Sequence, residues 1–219
     1  MPWIFIGIAI LLIGGGGLLA WQAERRRRER WAAAAERLGL HFVAKPGGDV
    51  PLPDFKLFGR GHGRRLRNAA LGTLDGATLM LADYQYTTSS GKNSSTHRQT
   101  ITVLQSPTLR LPSCFLRTRV AGFDTLGRWF GGQDINFEED PAFSKGFVLQ
   151  GPDEAAIRER FNPALRSFFL ERRKQGFQFE AAEGRILFHF SRRARPEALD
   201  ELIEDARALL RALGGPAAA

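Results

Sequence analysis

From Pro2 to Ala23 the chain carries no charged side chain, and the run Trp3 to Ile13 is apolar or glycine at every position. A helix packed against a soluble core keeps one polar face; this pattern leaves none, so it predicts a helix surrounded by lipid. Its length meets the ~20 residues that cross a hydrocarbon layer of about 30 Å at 1.5 Å per residue. Trp3 and Trp21 stand at its two ends, where indole rings favour the lipid–water interface. Gly14–Gly17 weaken a helix in water, but an unravelled backbone inside lipid would leave its polar groups without partners, so the helix is expected to continue through them. Those glycines, with Ala20, either form a close-packing face for a second helix or are tolerated spacers. A cleavable signal peptide would need a basic start, which is missing. Leu18 and Trp21 also occupy places where the cleavage frames ending at Ala20 and Ala23 need small residues.

The pattern then changes to the period of an amphipathic helix. Gln22–Leu38 places Trp31, Ala34, Ala35 and Leu38 on one face, and Gly39 supplies a stop. Leu40–Val43 begins a strand, Lys45–Asp49 is a loop, and Phe55–Gly59 is a short apolar stretch leading into Gly59-Arg60-Gly61-His62-Gly63. Leu66–Leu74 and Ala77–Tyr86 flank Asp75-Gly76, a strong hairpin signal. Thr87–Ser95 is polar throughout and reads as an exposed loop before a strand at Gln99–Leu104, with a further extended piece at Cys114–Leu116.

Gly122–Pro141 is irregular and marks a possible seam between two parts. Beyond it, Gly146–Leu149 reads as a strand, Asp153 caps a helix bearing Ile157 and Phe161, and Asn162-Pro163 starts another with Leu165, Phe168 and Phe169 inward. Phe177 and Phe179 alternate along a strand, Glu183-Gly184 turns the chain, and Ile186, Phe188 and Phe190 alternate again. Leu199, Leu202, Ile203, Ala206, Leu209, Leu210 and Leu213 make the apolar stripe of a last helix. The order is that of an α+β fold: an N-terminal transmembrane helix, an antiparallel β-meander, then a strand-helix-helix-hairpin-helix part. The expected division is an anchor at 1–23, a basic juxtamembrane helix at 24–39, a β-rich part at 40–125, an α+β part packed with it at 126–213, and a frayed tail at 214–219. Whether the two parts form one domain or two is open.

Composition changes this picture in one respect. The 219 residues carry a formal charge of +8, with 43% hydrophobic residues and 17 Phe, which excludes global disorder. Much of the excess lies in Arg25, Arg26, Arg27, Arg28 and Arg30, immediately after the apolar segment. The positive-inside rule places that end in the cytoplasm, with the short N-terminus outside. The five arginines are candidates for contact with anionic head groups, beyond their role as a topology signal. A second cluster, Arg60, Arg64, Arg65 and Arg67, lacks the interleaved stacking aromatics of a nucleic-acid surface. With Tyr84 and Tyr86, which share one strand face, it is a candidate partner surface, although the tyrosines serve equally well to close a sheet edge.

Catalytic and metal motifs are wanting. His41, His62, His97 and His189 have no ligand-like spacing, and Cys114 stands alone, so neither a metal nor a disulfide is expected. Gly91-Lys92 fails as a phosphate loop because Tyr86 and Asn93 occupy the motif's glycine and Ser/Thr places. Asp134, Asn136, Glu138, Glu139 and Asp140 resemble the start of a calcium loop, but Glu139 replaces its glycine and Lys145 its last acid, so a solvated acidic turn is expected. No cofactor is implied.

The short N-terminal span, the basic helix ending Leu38-Gly39-Leu40, Phe55–Phe58, Asn68, Asp83–Tyr86, Pro112, Phe143-Ser144 and Val148–Gly151 together resemble a group of uncharacterised bacterial membrane-anchored proteins. That resemblance implies a bacterial source and a membrane address, and supplies no activity or site residue. The leading reading is a non-enzymatic interaction or scaffold module at the inner membrane, single-pass, with its C-terminal domain in the cytoplasm. Its expected partners are the lipid bilayer, anionic lipid head groups, a protein of unknown kind and, through the helix, further copies of itself. An enzyme with a pocket near the 122–140 seam is the alternative; a basic nucleic-acid-binding domain is the third, and the location of the charge speaks against it. A chain lacking residues 1–30 is expected to fold as a soluble domain.

Overall fold

The computed structural model describes residues 2–47, 54–119, 134–173 and 176–214, with side chains from Gly15 onward. One continuous helix, α1 (Pro2–Arg37), runs through Gly14–Gly17 and joins the apolar segment to the basic one. Its second half belongs to the core: Trp31, Ala34 and Ala35 are buried, Trp31 completely (0% exposed). Gly39, at φ +68°, ends the helix, and Leu40 N–H donates back to the Ala35 carbonyl. Among the described residues no helix is long and apolar enough to cross a membrane. The expected span over Pro2–Ala23 falls largely on residues 1–14, whose side chains lie outside the described residues.

The strands are β1 (His41–Val43), β2 (His62–Leu74), β3 (Ala77–Ser90), β4 (Asn93–Gln105), β5 (Cys114–Thr118), β6 (Phe147–Gln150), β7 (Gln178–Ala182) and β8 (Arg185–His189). They form one sheet in the order β1-β2-β3-β4-β8-β7-β5-β6, antiparallel at every pairing. The two parts expected from the sequence are therefore one body. β4 pairs with β8 from Ile101↔His189 to Gln105↔Arg185, joining the meander directly to the C-terminal hairpin. The strands on either side of the expected seam, β5 and β6, pair with each other, so the sheet is not divided there. Residues 120–133, which include most of the expected seam, lie outside the described residues.

The hairpin turns follow their local chemistry. Asp75-Gly76 and Glu183-Gly184 both have positive φ at both positions, which is what a twisted two-residue hairpin turn requires. The polar run Thr87–Ser95 is not a loop. β3 and β4 stay paired to their tips, Thr87↔Thr96 through Ser90↔Asn93, and turn at Gly91-Lys92, with Gly91 at φ +58°. Threonine suits a pleated surface, and the Thr87–Thr96 hydroxyls (3.2 Å) and Thr88–His97 (2.9 Å) add cross-strand hydrogen bonds.

On one face the sheet carries α1, the short α3 (Pro141–Gly146), α4 (Glu154–Arg160), α5 (Pro163–Arg172) and α6 (Leu199–Ala212) over a phenylalanine-rich core. Phe161 stacks on Phe169 at 5.8 Å between centroids, and Phe169 meets Phe179 edge-on at 5.2 Å. Burial of each ring contributes about 2 kcal/mol. Asp153 and Asn162 cap α4 and α5 as their positions predict, accepting from Ala156 N–H (3.0 Å) and Leu165 N–H (2.9 Å). The opposite face is covered by the single-turn α2 (Lys56–Gly59), held there by buried Glu180, whose carboxylate accepts from Lys56 N–H (2.7 Å) and Leu57 N–H (3.0 Å). Phe55 and Leu57 of this segment share a buried cluster with Tyr84, Tyr86 and Leu187 of the sheet.

Candidate functional site

The registers of β2, β3 and β4 align two cross-strand rows, Arg67–Asp83–Thr100 and Arg65–Gln85–Arg98. Side chains alternate along strands, so both rows face α1. The inner row is a buried polar junction. Asp83, only 2% exposed, accepts from Arg27 Nε (2.7 Å) and Arg27 Nη2 (2.8 Å), from Asn68 Nδ2 (3.1 Å) and from Thr100 Oγ1 (2.9 Å). Asn68 reaches it because β2 slips register between Arg67 and Ala70 and Asn68 takes φ +50°, a conformation that asparagine tolerates. Arg27 Nη2 also donates to the Ala194 carbonyl at 2.9 Å, and Ala194 N–H donates to Thr100 Oγ1 at 2.9 Å. The junction pins α1, the sheet and the segment after β8 to one point.

The outer row opens into a cleft of ≈ 620 Å³ between α1 and the sheet. Ala20, Trp21, Glu24, Arg25, Arg28 and Glu29 line it from the helix; Arg65, Arg67, Gln85, Arg98 and Arg193 line it from the sheet side. Six arginines face two glutamates. Arg25 pairs with Glu29 at 3.1 Å, Arg193 with Glu24 at 3.1 Å and Arg67 with Glu24 at 4.0 Å, while Arg98 donates to the neutral Gln85 amide oxygen at 3.1 Å. Among the described residues Arg28 and Arg65 make no ion pair. Arg193 Nε and Glu24 Oε1 are buried here without a hydrogen-bond partner among the described residues. Guanidinium groups on opposing walls, in positive surplus, suit an anion with several oxygens, because each planar fork donates in parallel to two of them.

The five juxtamembrane arginines expected to meet head groups do not act as a set. Arg27 is turned inward onto Asp83, which removes it from that surface: a carboxylate in the middle of an apolar strand needs a cation more than the solvent does. Arg28 is half-buried in the cleft, and Arg25 lies 5.8 Å from the Trp21 ring centre. Arg26 is exposed, and Arg30 lies 3.7 Å from Glu197. The second cluster is divided by the strand period. Arg65 and Arg67 enter the cleft, whereas Arg64 donates to the Phe58 carbonyl on the opposite side and Arg60 covers the Tyr86 ring at 5.6 Å. Tyr84 and Tyr86 are 2% and 4% exposed under α2, so they form core rather than a partner surface. They also do not close a sheet edge, since β3 lies between β2 and β4. Burial pushes the Tyr84 phenol up to about 12, the charge of Arg64 lowering it and Tyr86 raising it less strongly.

The remaining candidates have structural partners. Asp140 caps α3 through Phe143 N–H (3.0 Å) and pairs with buried Arg166 (2.9 Å), which also reaches Glu139 (3.1 Å). Asp134 accepts from Arg119 (3.0 Å) and Gln150 (2.9 Å). Among the described residues no group of His, Cys, Asp and Glu is arranged to hold a metal ion. Cys114 is buried in β5, where desolvation raises its thiol pKa and keeps it inert. His97 stacks on Tyr86 at 4.7 Å, and His189 is buried with Nδ1 accepting from Ser191 N–H at 3.0 Å. Sequence reasoning missed Glu24, Gln85, Arg98 and Arg193 as cleft residues. One signal was present: Asp83 follows Leu79-Met80-Leu81-Ala82, and an acid continuing so apolar a strand announces a buried partner.

No protein-family model matches the chain, and no curated protein matches it. Among solved structures it is similar to the crystal structure of the mycobacterial trehalose monomycolate transport factor A, TtfA, with 14% sequence identity and a TM-score of 0.56, over 88% of this chain and 97% of that chain. At that identity the likeness is one of fold: the α+β arrangement is shared across nearly the whole length of both chains.

Proposed function

We propose that this chain is a membrane-tethered, non-enzymatic interaction module, held in a bacterial inner membrane by residues 2–23, with its N-terminus outside and its sheet domain in the cytoplasm. One observation carries the reading. Among the described residues the exposed large hydrophobic side chains are Leu18, Leu19 and Trp21, at 55%, 67% and 58%, and all three project from α1 where it leaves the domain. Apolar exposure confined to one place and continuous with an uncharged, apolar sequence marks a surface that water does not cover. The arginines that follow set the orientation. The fold shared with a trehalose monomycolate transport factor is in keeping with work at a membrane on lipid or its carriers; no substrate is taken over from it.

The test is fractionation of the full-length chain carrying a C-terminal tag. It is expected in the membrane pellet after an alkaline carbonate wash, with the tag protected in intact spheroplasts, and a chain starting at Glu24 is expected in the soluble fraction. Full-length protein in the soluble fraction, or a tag digested from outside, overturns the reading.

A further inference from the structure

We infer that the cleft between α1 and the sheet is a binding site for a single phosphate-bearing lipid of net negative charge, its headgroup among the arginines and its acyl chains along the apolar part of α1. The inference rests on the tethered reading above and adds the ligand class. Three observations lead to it.

The first is charge. Six arginines against two glutamates leave four positive charges in excess within a space of ≈ 620 Å³, inside the range of about 300–1,000 Å³ usual for small-ligand sites. The excess is not dispersed over the domain's outer surface. It converges from the helix and the sheet side, with Arg28 on α1, Arg65 and Arg98 on β2 and β4, the two strands that flank β3, and Arg193 after β8, whose Nε is buried without an acceptor among the described residues. A phosphodiester offers the oxygens that such a set requires.

The second is height. Ala20 and Trp21 line the same cleft, and they are the last turn of the uncharged segment. With residues 2–23 in lipid, that turn lies at the hydrocarbon boundary, and the arginines that follow it lie in the adjoining head-group layer, where phospholipid phosphates sit.

The third is the apolar wall. Trp21 forms part of the cleft itself, and Leu18, three positions earlier on the same stripe of α1 and about two turns above Arg25, stands exposed. A free phosphate or a nucleotide has no use for such a wall, whereas a lipid has both halves to match it.

The test uses the full-length chain in a neutral detergent, titrated with dihexanoyl phosphatidylglycerol, dihexanoyl phosphatidylcholine and inorganic phosphate. Two double variants are compared with the parent. Arg65→Ala/Arg98→Ala removes two exposed charges inside the cleft; Arg26→Ala/Arg64→Ala removes two exposed charges outside it. The first pair is expected to weaken phosphatidylglycerol binding about tenfold or more, a loss of one decade in Kd, and the second pair by less than about twofold. Phosphatidylcholine is expected to bind far more weakly, because its cationic choline meets the arginine surplus. Equal loss in the two double variants would reduce the effect to diffuse attraction and overturn the inference. So would inorganic phosphate competing at the same concentration as the lipid, which would make the ligand a free anion. Absence of phosphatidylglycerol binding by protein that still resists carbonate extraction sinks the inference and leaves the tether standing. Intact binding by a chain found in the soluble fraction would do the reverse.

Discussion

Replacing Arg27 by alanine should destabilise the protein far more than its place in an arginine-rich surface sequence suggests. Arg27 supplies two of the four hydrogen bonds to Asp83 and, among the described residues, its ion pair, and it also donates to the Ala194 carbonyl. Without it the carboxylate stays buried with two neutral donors, Asn68 and Thr100. Leaving one partner of a buried pair uncompensated costs about 3–5 kcal/mol, a large part of the 5–15 kcal/mol that holds a typical domain. The double variant Arg27→Met/Asp83→Asn removes both charges and keeps an acceptor for Thr100. It should be more stable than Arg27→Ala by about 2 kcal/mol, the coupling expected of residues in one network.

Urea unfolding of the full-length chain in detergent measures this, followed by tryptophan emission with Trp3, Trp21 and Trp129 replaced by phenylalanine. Trp31, wholly buried where α1 docks, then reports on the junction. A loss below about 1 kcal/mol, or one abolished by 0.5 M salt, would rank the pair with exposed salt bridges and refute the argument that α1 is fastened through Asp83. The same physics moves the boundary of a soluble fragment. A chain beginning at Glu24 keeps Arg27, whereas the deletion of residues 1–30 expected from the sequence to be harmless removes it, at the same cost.

Two further perturbations test other parts of the fold. In Gly151→Ala the new Cβ would meet Ile157 and lie 2.5 Å from the Ser113 carbonyl oxygen; backbone must move, at a cost of about 1–3 kcal/mol, read as a fall in Tm of about 2–4 °C per kcal/mol, and an unchanged Tm would show the β5–β6 crossing to be loosely packed. Burial, aided by the charge of Arg60, holds the His189 imidazole down to about 3, so below pH 6.5 the unfolded chain takes up a proton that the folded chain refuses; stability should fall as pH falls, by about 2 kcal/mol at pH 5 for this group, and His189→Asn should remove that part of the slope in urea titrations at pH 7 and pH 5.

What was legible in the sequence was local. The stripe Leu199–Leu210 is the buried face of α6, Asp75-Gly76 and Glu183-Gly184 turn as their chemistry dictates, and the Asp153 and Asn162 caps sit where they should. The reading failed where polarity was taken for irregularity. Thr87–Ser95 has no apolar alternation because neither face of that hairpin tip is buried, so the period that reveals a half-buried strand is missing. It failed again over distance. Arg27 and Asp83 are 56 positions apart, and Arg193 and Glu24 are 169 apart. The sheet order β4-β8-β7-β5 interposes the last hairpin between strands that the sequence reads in succession. Register between remote strands leaves no spacing signal, and the cleft is made of such register.

Under the proposed tether, α1 is anchor and core element at once, and the candidate site takes its position from that. A flexible linker between span and domain would let the arginine cleft face the bilayer at any angle. Here Arg27, Trp31, Ala34 and Ala35 fix the helix in rotation and in depth before it leaves the sheet. From Trp21 to Arg27 the rise is six residues, about 9 Å, so the proposed tether would put the junction at Asp83 just beneath the head-group layer and the cleft within it. A helix turns about 100° per residue, so a displacement of one position would carry Arg28 out of the cleft and swing Arg27 away from Asp83. The buried ion pair contributes little net stability over a well-packed apolar pair; what it supplies is a register, and with the proposed tether that register would present the arginines to the membrane in one orientation.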